Sequence, residues 1–166
     1  MSLPTYQTIE LTRDGRRLNV SFNRADAMNA FDKVMHDELP QALDFARADP
    51  DSDVVVLSGH GRAFSAGGDF DHIQANMDNP AAFDHEIQMA KRIVMTLLST
   101  EKPVICRLNG HAVGLGATIA LLCDIIIGAE GAKIGDPHVS IGLVAGDGGA
   151  VVWAQRIGLA RAKEYL

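Results

Sequence analysis

Only two cysteines occur in the 166 residues, Cys106 and Cys123, each inside an apolar run. Two thiols are too few for a disulfide framework or a structural zinc site, and they suit a reducing, cytoplasmic location. Positive charge is also short: 15 Lys and Arg face 21 Asp and Glu, for a net charge of −6. A surface of that sign has no bulk attraction for phosphate backbones or anionic lipid, so neither nucleic acid nor membrane is expected as a partner. Long apolar runs are missing. The most apolar stretch, Ile119 to Ala129, is broken by Asp124 and is too short to span a bilayer. Glu10, Arg13 and Asp14 stand where an export signal needs an apolar core. Neither a Gly-x-Ser-x-Gly elbow nor a Gly-Lys-Ser/Thr phosphate loop is present, which argues against serine-hydrolase and P-loop chemistry.

What remains is a globular composition, 47% hydrophobic and 22% charged, with 16 glycines gathered mostly in three clusters. Alternation over Thr5–Leu11 and Leu18–Phe22, around Asp14-Gly15, predicts a β-hairpin. Helical spacing follows over Phe31–Ala48, where Pro40 is expected to kink or divide the helix. Val54–Leu57, Val104–Leu108, Ile125–Gly128 and Lys133–Gly135 read as strands. Ala81–Leu98, Gly116–Leu122, Gly148–Ile157 and Leu159–Leu166 read as helices. This rhythm predicts an α/β fold with parallel pairing, in one domain over residues 1–166. The last helical pattern stops without a cap, so a C-terminal portion is expected to be missing.

The first glycine cluster, Gly61 to Phe70, follows a strand and leaves the N–H groups of Ser65 to Gly68 open to a ligand. Taken alone, the cluster reads better as a tight connection with Asp69 capping the next helix. The second, Asn109 to Thr118, runs from a strand through a glycine turn into a helix whose N-terminus favours negative charge. It imitates a dinucleotide fingerprint, but Ile119 is too bulky where the third glycine should stand. The third is Gly135-Asp136-Pro137-His138, with Gly146-Asp147-Gly148-Gly149 beyond it. His138 and Asp147 could form a carboxylate–imidazole pair fit for general base work, or be a surface histidine and a helix cap. Asp69, Asp71 and His72 match no established ligand spacing, and no metal is expected. His36, His60, His85 and His111 have no partner identifiable from the sequence.

Taken in order, these segments resemble the crotonase superfamily, the enoyl-CoA hydratase/isomerase family. The matching pieces are Asn23 to Ala30, Ala63 to Asp69, Lys102 to Ile105, Asn109 to Gly116, Cys123 to Ile125 and Gly142 to Gly149. The resemblance implies a spiral of ββα units, parallel sheets flanked by helices, and assembly into homotrimers or pairs of trimers. It also implies an acyl-CoA substrate, with coenzyme A entering as part of that substrate and no covalently bound cofactor. The Gly68 and Leu115 amides would form an oxyanion hole for the thioester oxygen. Ala25, Ala27, Ala66, Gly67, Asp69, Gly114 and Thr118 would complete the binding surface.

One departure bears on the chemistry. Hydratases of this family carry two glutamates, and the corresponding positions here hold Thr118 and His138. The resemblance therefore implies acid/base work by His138 and Asp147. Their spacing is similar to that in the β-diketone hydrolase branch, which cleaves a C–C bond without CoA. A scaffold that binds without catalysis is a third reading of the same loss of glutamates.

Overall fold

The computed structural model describes residues 1–166, the side chains of Pro80 and Ala82 excepted. β1 (Ile9–Asp14) and β2 (Arg17–Phe22) pair antiparallel, from Ile9 opposite Phe22 to Asp14 opposite Arg17. Gly15-Arg16 is thus the two-residue loop, and Gly15 takes φ +56, which its missing Cβ permits. The first strand begins later than Thr5. A 3-10 turn (Ala25–Ala27) leads to α1 (Lys33–Ala48), capped by the Asp32 carboxylate, which accepts from Met35 N at 2.9 Å. Pro40 does not divide this helix. It removes one hydrogen bond, but buried Met35, Leu39, Ala42, Leu43 and Ala46 hold the turns on either side to one core.

Three ββα turns follow. The first is β3 (Val54–Gly59), β4 (Ala63–Ser65), α2 (Phe70–Met77) and α3 (Pro80–Leu98). The second is β5 (Val104–Leu108), β6 (His111–Val113) and α4 (Leu115–Leu122). The third is β7 (Ile125–Gly128), β8 (Ile134–Gly135), a 3-10 turn at Val139–Ile141, and α5 (Gly149–Ile157), after which α6 (Leu159–Tyr165) closes the chain. Each turn places its first strand in a sheet ordered β1-β2-β3-β5-β7 and its second in a sheet ordered β4-β6-β8. From β2 onward all pairing is parallel. This is the expected spiral. β4 and β6 carry no recognisable pattern in the sequence because three residues are too few to show a period of two.

Phe22, Phe31 and Phe64 form the aromatic centre, with the Phe22 ring 5.5 Å from Phe31 and 5.0 Å from Phe64 in edge-to-face arrangement. All three are fully buried, and each contributes about 2–3 kcal/mol through apolar burial. They anchor the hairpin, the approach to α1 and β4 to one another. No helix among the described residues is long and apolar enough to cross a membrane.

Candidate active site

The Asn23–Ala30 and Ala66–Asp69 segments are far apart in sequence and stitched together in the fold. Ala66 N donates to Met28 O at 2.9 Å, Phe31 N to Gly67 O at 2.7 Å, and Asp69 N to Phe31 O at 3.0 Å. The Arg24 guanidinium reaches Asp69 Oδ2 at 3.3 Å and Asp32 Oδ2 at 3.2 Å, so one cation serves the caps of both α1 and α2. As expected, Asp69 caps α2, accepting from Asp71 N and His72 N.

Asn29 holds this junction from inside. It is fully buried at φ +54, its Oδ1 accepts from Arg24 N, and its Nδ2 donates to His60 O and Ala63 O, both at 2.9 Å. Asn29→Ala strands these buried groups and keeps a left-handed backbone without the asparagine that tolerates it. A loss of about 3 kcal/mol is expected, read as a lower urea midpoint with unchanged slope.

Glycine permits the two turns to touch. A Cβ on Gly67 (φ +85) would lie 2.8 Å from Val113 O, and one on Gly116 would lie 2.6 Å from the Ser65 Cβ. A Cβ on Gly114, which has φ +53 and ψ −123, would lie 3.9 Å from the Gly67 Cα and 3.4 Å from His138 Cε1. Two strand-end turns and an imidazole therefore meet at Gly114. Gly67 and Asp69 spend their hydrogen bonds on Phe31, and alternation along extended backbone turns the intervening Gly68 N–H the other way. Leu115 is the first residue of α4, where an N–H has no intrahelical acceptor. Neither the Gly68 nor the Leu115 N–H has a hydrogen-bond partner among the described residues.

The polar end of the site comes from the loop after β8. Asp136 Oδ1 accepts from His138 N at 3.0 Å and contacts His138 Nδ1 at 2.5 Å, fixing both the loop and the ring. On the other edge, His138 Nε2 lies 3.5 Å from Asp147 Oδ2. Asp147 Oδ1 is held by the Thr118 hydroxyl at 3.1 Å and by Gly149 N at 3.2 Å. Oδ2 of Asp136 and of Asp147 are both buried without a hydrogen-bond partner. The hydrogen bond that the ring donates to Asp136 raises the His138 pKa above its ordinary 6.5, against the opposing pull of burial and with help from the Asp147 charge. Burial pushes Asp147 above the ordinary carboxylate value. Burial also acts upward on Asp136, but its hydrogen bonds to His138 leave it below the ordinary value.

The structure thus brings His138 and Asp147 together with Gly114, Leu115 and Thr118, and packs Gly67 against the same turn. Ala25, Ala27, Ala66 and Asp69 line the adjoining junction, Ala25 exposed and Ala27 and Ala66 half-buried. The sequence reading left Asp136 out of the site. Its ring-binding position depends on the loop doubling back on itself, and Asp-Pro-His was the one local signal for that. Thr118 sits beneath Asp147 and holds its carboxylate. A cleft of about 390 Å³ lined by Leu121, Ile134, Trp153, Ile157, Arg161 and Tyr165 lies apart from these groups.

The spiral of ββα turns is a crotonase-type fold, in which main-chain amides from two consecutive turns lie beside a polar side chain on the third. The chain belongs to the enoyl-CoA hydratase/isomerase family, whose model matches residues 17–166. Its fold is similar to that of an enoyl-CoA hydratase/isomerase from Mycobacterium paratuberculosis, with a TM-score of 0.93 and 37% identity over 96% of this chain and 65% of that one. In sequence it is 32% identical over 164 residues to a crotonyl-CoA hydratase of Syntrophomonas wolfei, covering 97% of this chain and 62% of the relative. It is also 32% identical over 157 residues to the 2,3-dehydroadipyl-CoA hydratase of Escherichia coli, covering 94% of this chain and 60% of that protein. The chain therefore spans about three fifths of the length of these curated relatives.

Proposed function

We propose that the site binds a 2-enoyl thioester of coenzyme A and adds water across its double bond, with His138 in place of the family's glutamates. The observation carrying this reading is the meeting of the Gly67–Gly68 and Gly114–Leu115 turns against the His138 ring. The thioester oxygen would accept from the Gly68 and Leu115 amides at the start of α4, where the helix dipole favours the developing enolate. His138 Nε2 takes a proton from water as the oxygen adds to the β-carbon, and the imidazolium then returns that proton to the α-carbon of the enolate, leaving the ring neutral. Asp136 keeps the Nδ1 proton in place, and both carboxylates offset the transient imidazolium. Thr118 acts through Asp147, whose carboxylate it fixes. The test is to incubate the protein with crotonyl-CoA and follow loss of the enoyl absorbance, which is expected to fall. An unchanged spectrum with CoA-ester binding retained supports the non-catalytic scaffold instead.

One observation favours a second reading. The base is an imidazole flanked by carboxylates, the arrangement that the β-diketone hydrolase resemblance implies, and the same amides would then hold the enolate released on C–C cleavage. Turnover of a cyclic β-diketone without CoA, and none of crotonyl-CoA, selects it. Assembly with further copies of the chain is proposed from the family resemblance. It is supported by Ile125 and Ile127, exposed on the edge strand β7, and sedimentation equilibrium tests it.

A base must be neutral to accept a proton, so activity should rise with pH through the His138 pKa, on an acidic limb above 6.5. Asp136→Asn removes the largest cause of the upward shift. The limb should move to lower pH and the plateau should fall, because the imidazole becomes a weaker base. A limb that stays in place means Asp136 does not govern His138. Stability follows the same linkage: with its folded pKa raised, the His138 contribution is fully present below 6.5 and is lost as pH climbs through the folded value.

A further inference from the structure

His36 has no identifiable partner in the sequence, and the fold supplies it with two. His36 lies on α1, His72 on α2 and Glu86 on α3, and all three side chains meet in one place. Glu86 Oε1 is 2.8 Å from His36 Nδ1, and Glu86 Oε2 is 2.8 Å from His72 Nε2. The donor atoms of the three residues all lie within 4.8 Å of one another. The side chains are only 6%, 14% and 15% exposed, so this is an interior cluster rather than a solvated charge pair. We propose that His36 Nδ1, His72 Nε2 and the Glu86 carboxylate form a structural site for a divalent transition cation of the zinc class, with the Asp32 carbonyl as fourth donor.

Two imidazoles and one carboxylate suit such a cation, and a main-chain oxygen completes four-fold coordination without leaving an open catalytic position. The Asp32 carbonyl is 3.0 Å from the same His36 Nδ1 that faces Glu86. As oriented, Asn76 Nδ2 donates to His72 Nε2 at 3.2 Å, which makes that nitrogen an acceptor. That nitrogen has a single lone pair, so ligation of a cation there requires the Asn76 amide to turn its N–H away. Charge favours the site. Among the described residues Glu86 has no lysine or arginine partner, and the nearby Arg24 is taken by Asp32 and Asp69. No fixed cation from lysine or arginine therefore faces the mostly buried Glu86 carboxylate. The position is consequential, because Ile73, next to His72, projects its Cδ1 against Gly68. A cation joining α1, α2 and α3 would hold α2 in place over the oxyanion turn.

The test uses the whole protein, stripped with a chelator and titrated with Zn²⁺ by calorimetry and with Co²⁺ by visible absorption. One ion per chain is expected, with the intense visible bands of four-coordinate cobalt. Binding should weaken as pH drops below the imidazole range, because protons compete for the rings. Glu86→Gln is isosteric and His72→Gln sits on a short peripheral helix, and each should abolish binding. His138→Gln should leave it intact, which separates this cluster from the Asp136–His138–Asp147 group, whose donor atoms are equally close. Absence of stoichiometric binding, or loss with His138→Gln alone, overturns the proposal. So does an experimental structure in added zinc that shows an empty ion-pair cluster with the Asn76 amide turned to accept from His72.

Discussion

Replacing His138 by glutamine is expected to lower kcat on crotonyl-CoA by about 10²- to 10⁴-fold, the usual worth of a positioned general base, while leaving the affinity for a saturated acyl-CoA nearly unchanged. The two readouts separate because no hydrogen bond joins the ring to the Gly114–Leu115 turn among the described residues, where a Cβ on Gly114 would lie 3.4 Å from His138 Cε1. Glutamine is preferred to alanine for a physical reason. The Asp136 side chain is fully buried and Asp147 is 11% exposed. Deleting the ring altogether leaves the two carboxylates facing one another across a void, at a cost of about 3 kcal/mol in stability. His138→Ala should therefore unfold at a lower temperature as well as lose turnover, whereas the glutamine variant can still donate to Asp136. Wild-type turnover in the glutamine variant removes His138 from the chemistry. Turnover lost together with acyl-CoA binding makes the ring a part of the binding surface.

Leu115→Pro is the second large effect. Proline lacks the N–H that would meet the thioester oxygen, and it stands at the first position of α4, where helices accept it. Gly114 has no Cβ to clash with the ring, so the turn keeps its shape. Loss of one oxyanion donor is expected to reduce kcat about 10²- to 10³-fold. The Leu115 side chain is buried, and its removal carries a packing cost that must be measured separately. Leu115→Ala provides the control. It loses the packing but keeps the amide, so its stability should fall by about 2–3 kcal/mol while its kcat stays close to that of the parent. Equal kcat in the proline and alanine variants means that the Leu115 amide stabilises no developing charge.

Local chemistry already written in the chain accounts for most of the elements. Val54–Leu57 and Val104–Leu108 are apolar runs with few alternatives to a buried parallel strand, and Ile125–Gly128 is a similar run that lies exposed at the sheet edge. Asp69 announces the helix it caps, whereas Asp32 lies inside the helical run the sequence suggests and caps α1 only in the fold. Gly67 and Gly116 stand where a neighbouring turn approaches too closely for a Cβ, and Gly114 where φ +53 favours glycine, so their clustering in the sequence already pointed to the candidate site. Residue type and loop context leave the pairing of His138 with Asp147 open against a surface histidine and a helix cap, and the family resemblance is what selects it.

Other features depend on distance in space, which one-dimensional spacing does not encode. That Pro40 leaves α1 whole follows from the core beneath it, and that Phe31 pairs with Gly68 instead of opening the helix follows from the neighbouring turn. Asp136 takes the Nδ1 edge of His138 because the loop folds back on itself. Thr118 serves Asp147 because α4 packs under the third turn. His36, His72 and Glu86 converge only because three helices cross there. Composition and local pattern thus set the strands, the caps and the glycine turns, since each is decided by neighbours within a few residues. Which carboxylate faces which ring nitrogen, and which helix supplies which ligand, was decided by tertiary packing, because those contacts join residues that the chain holds apart.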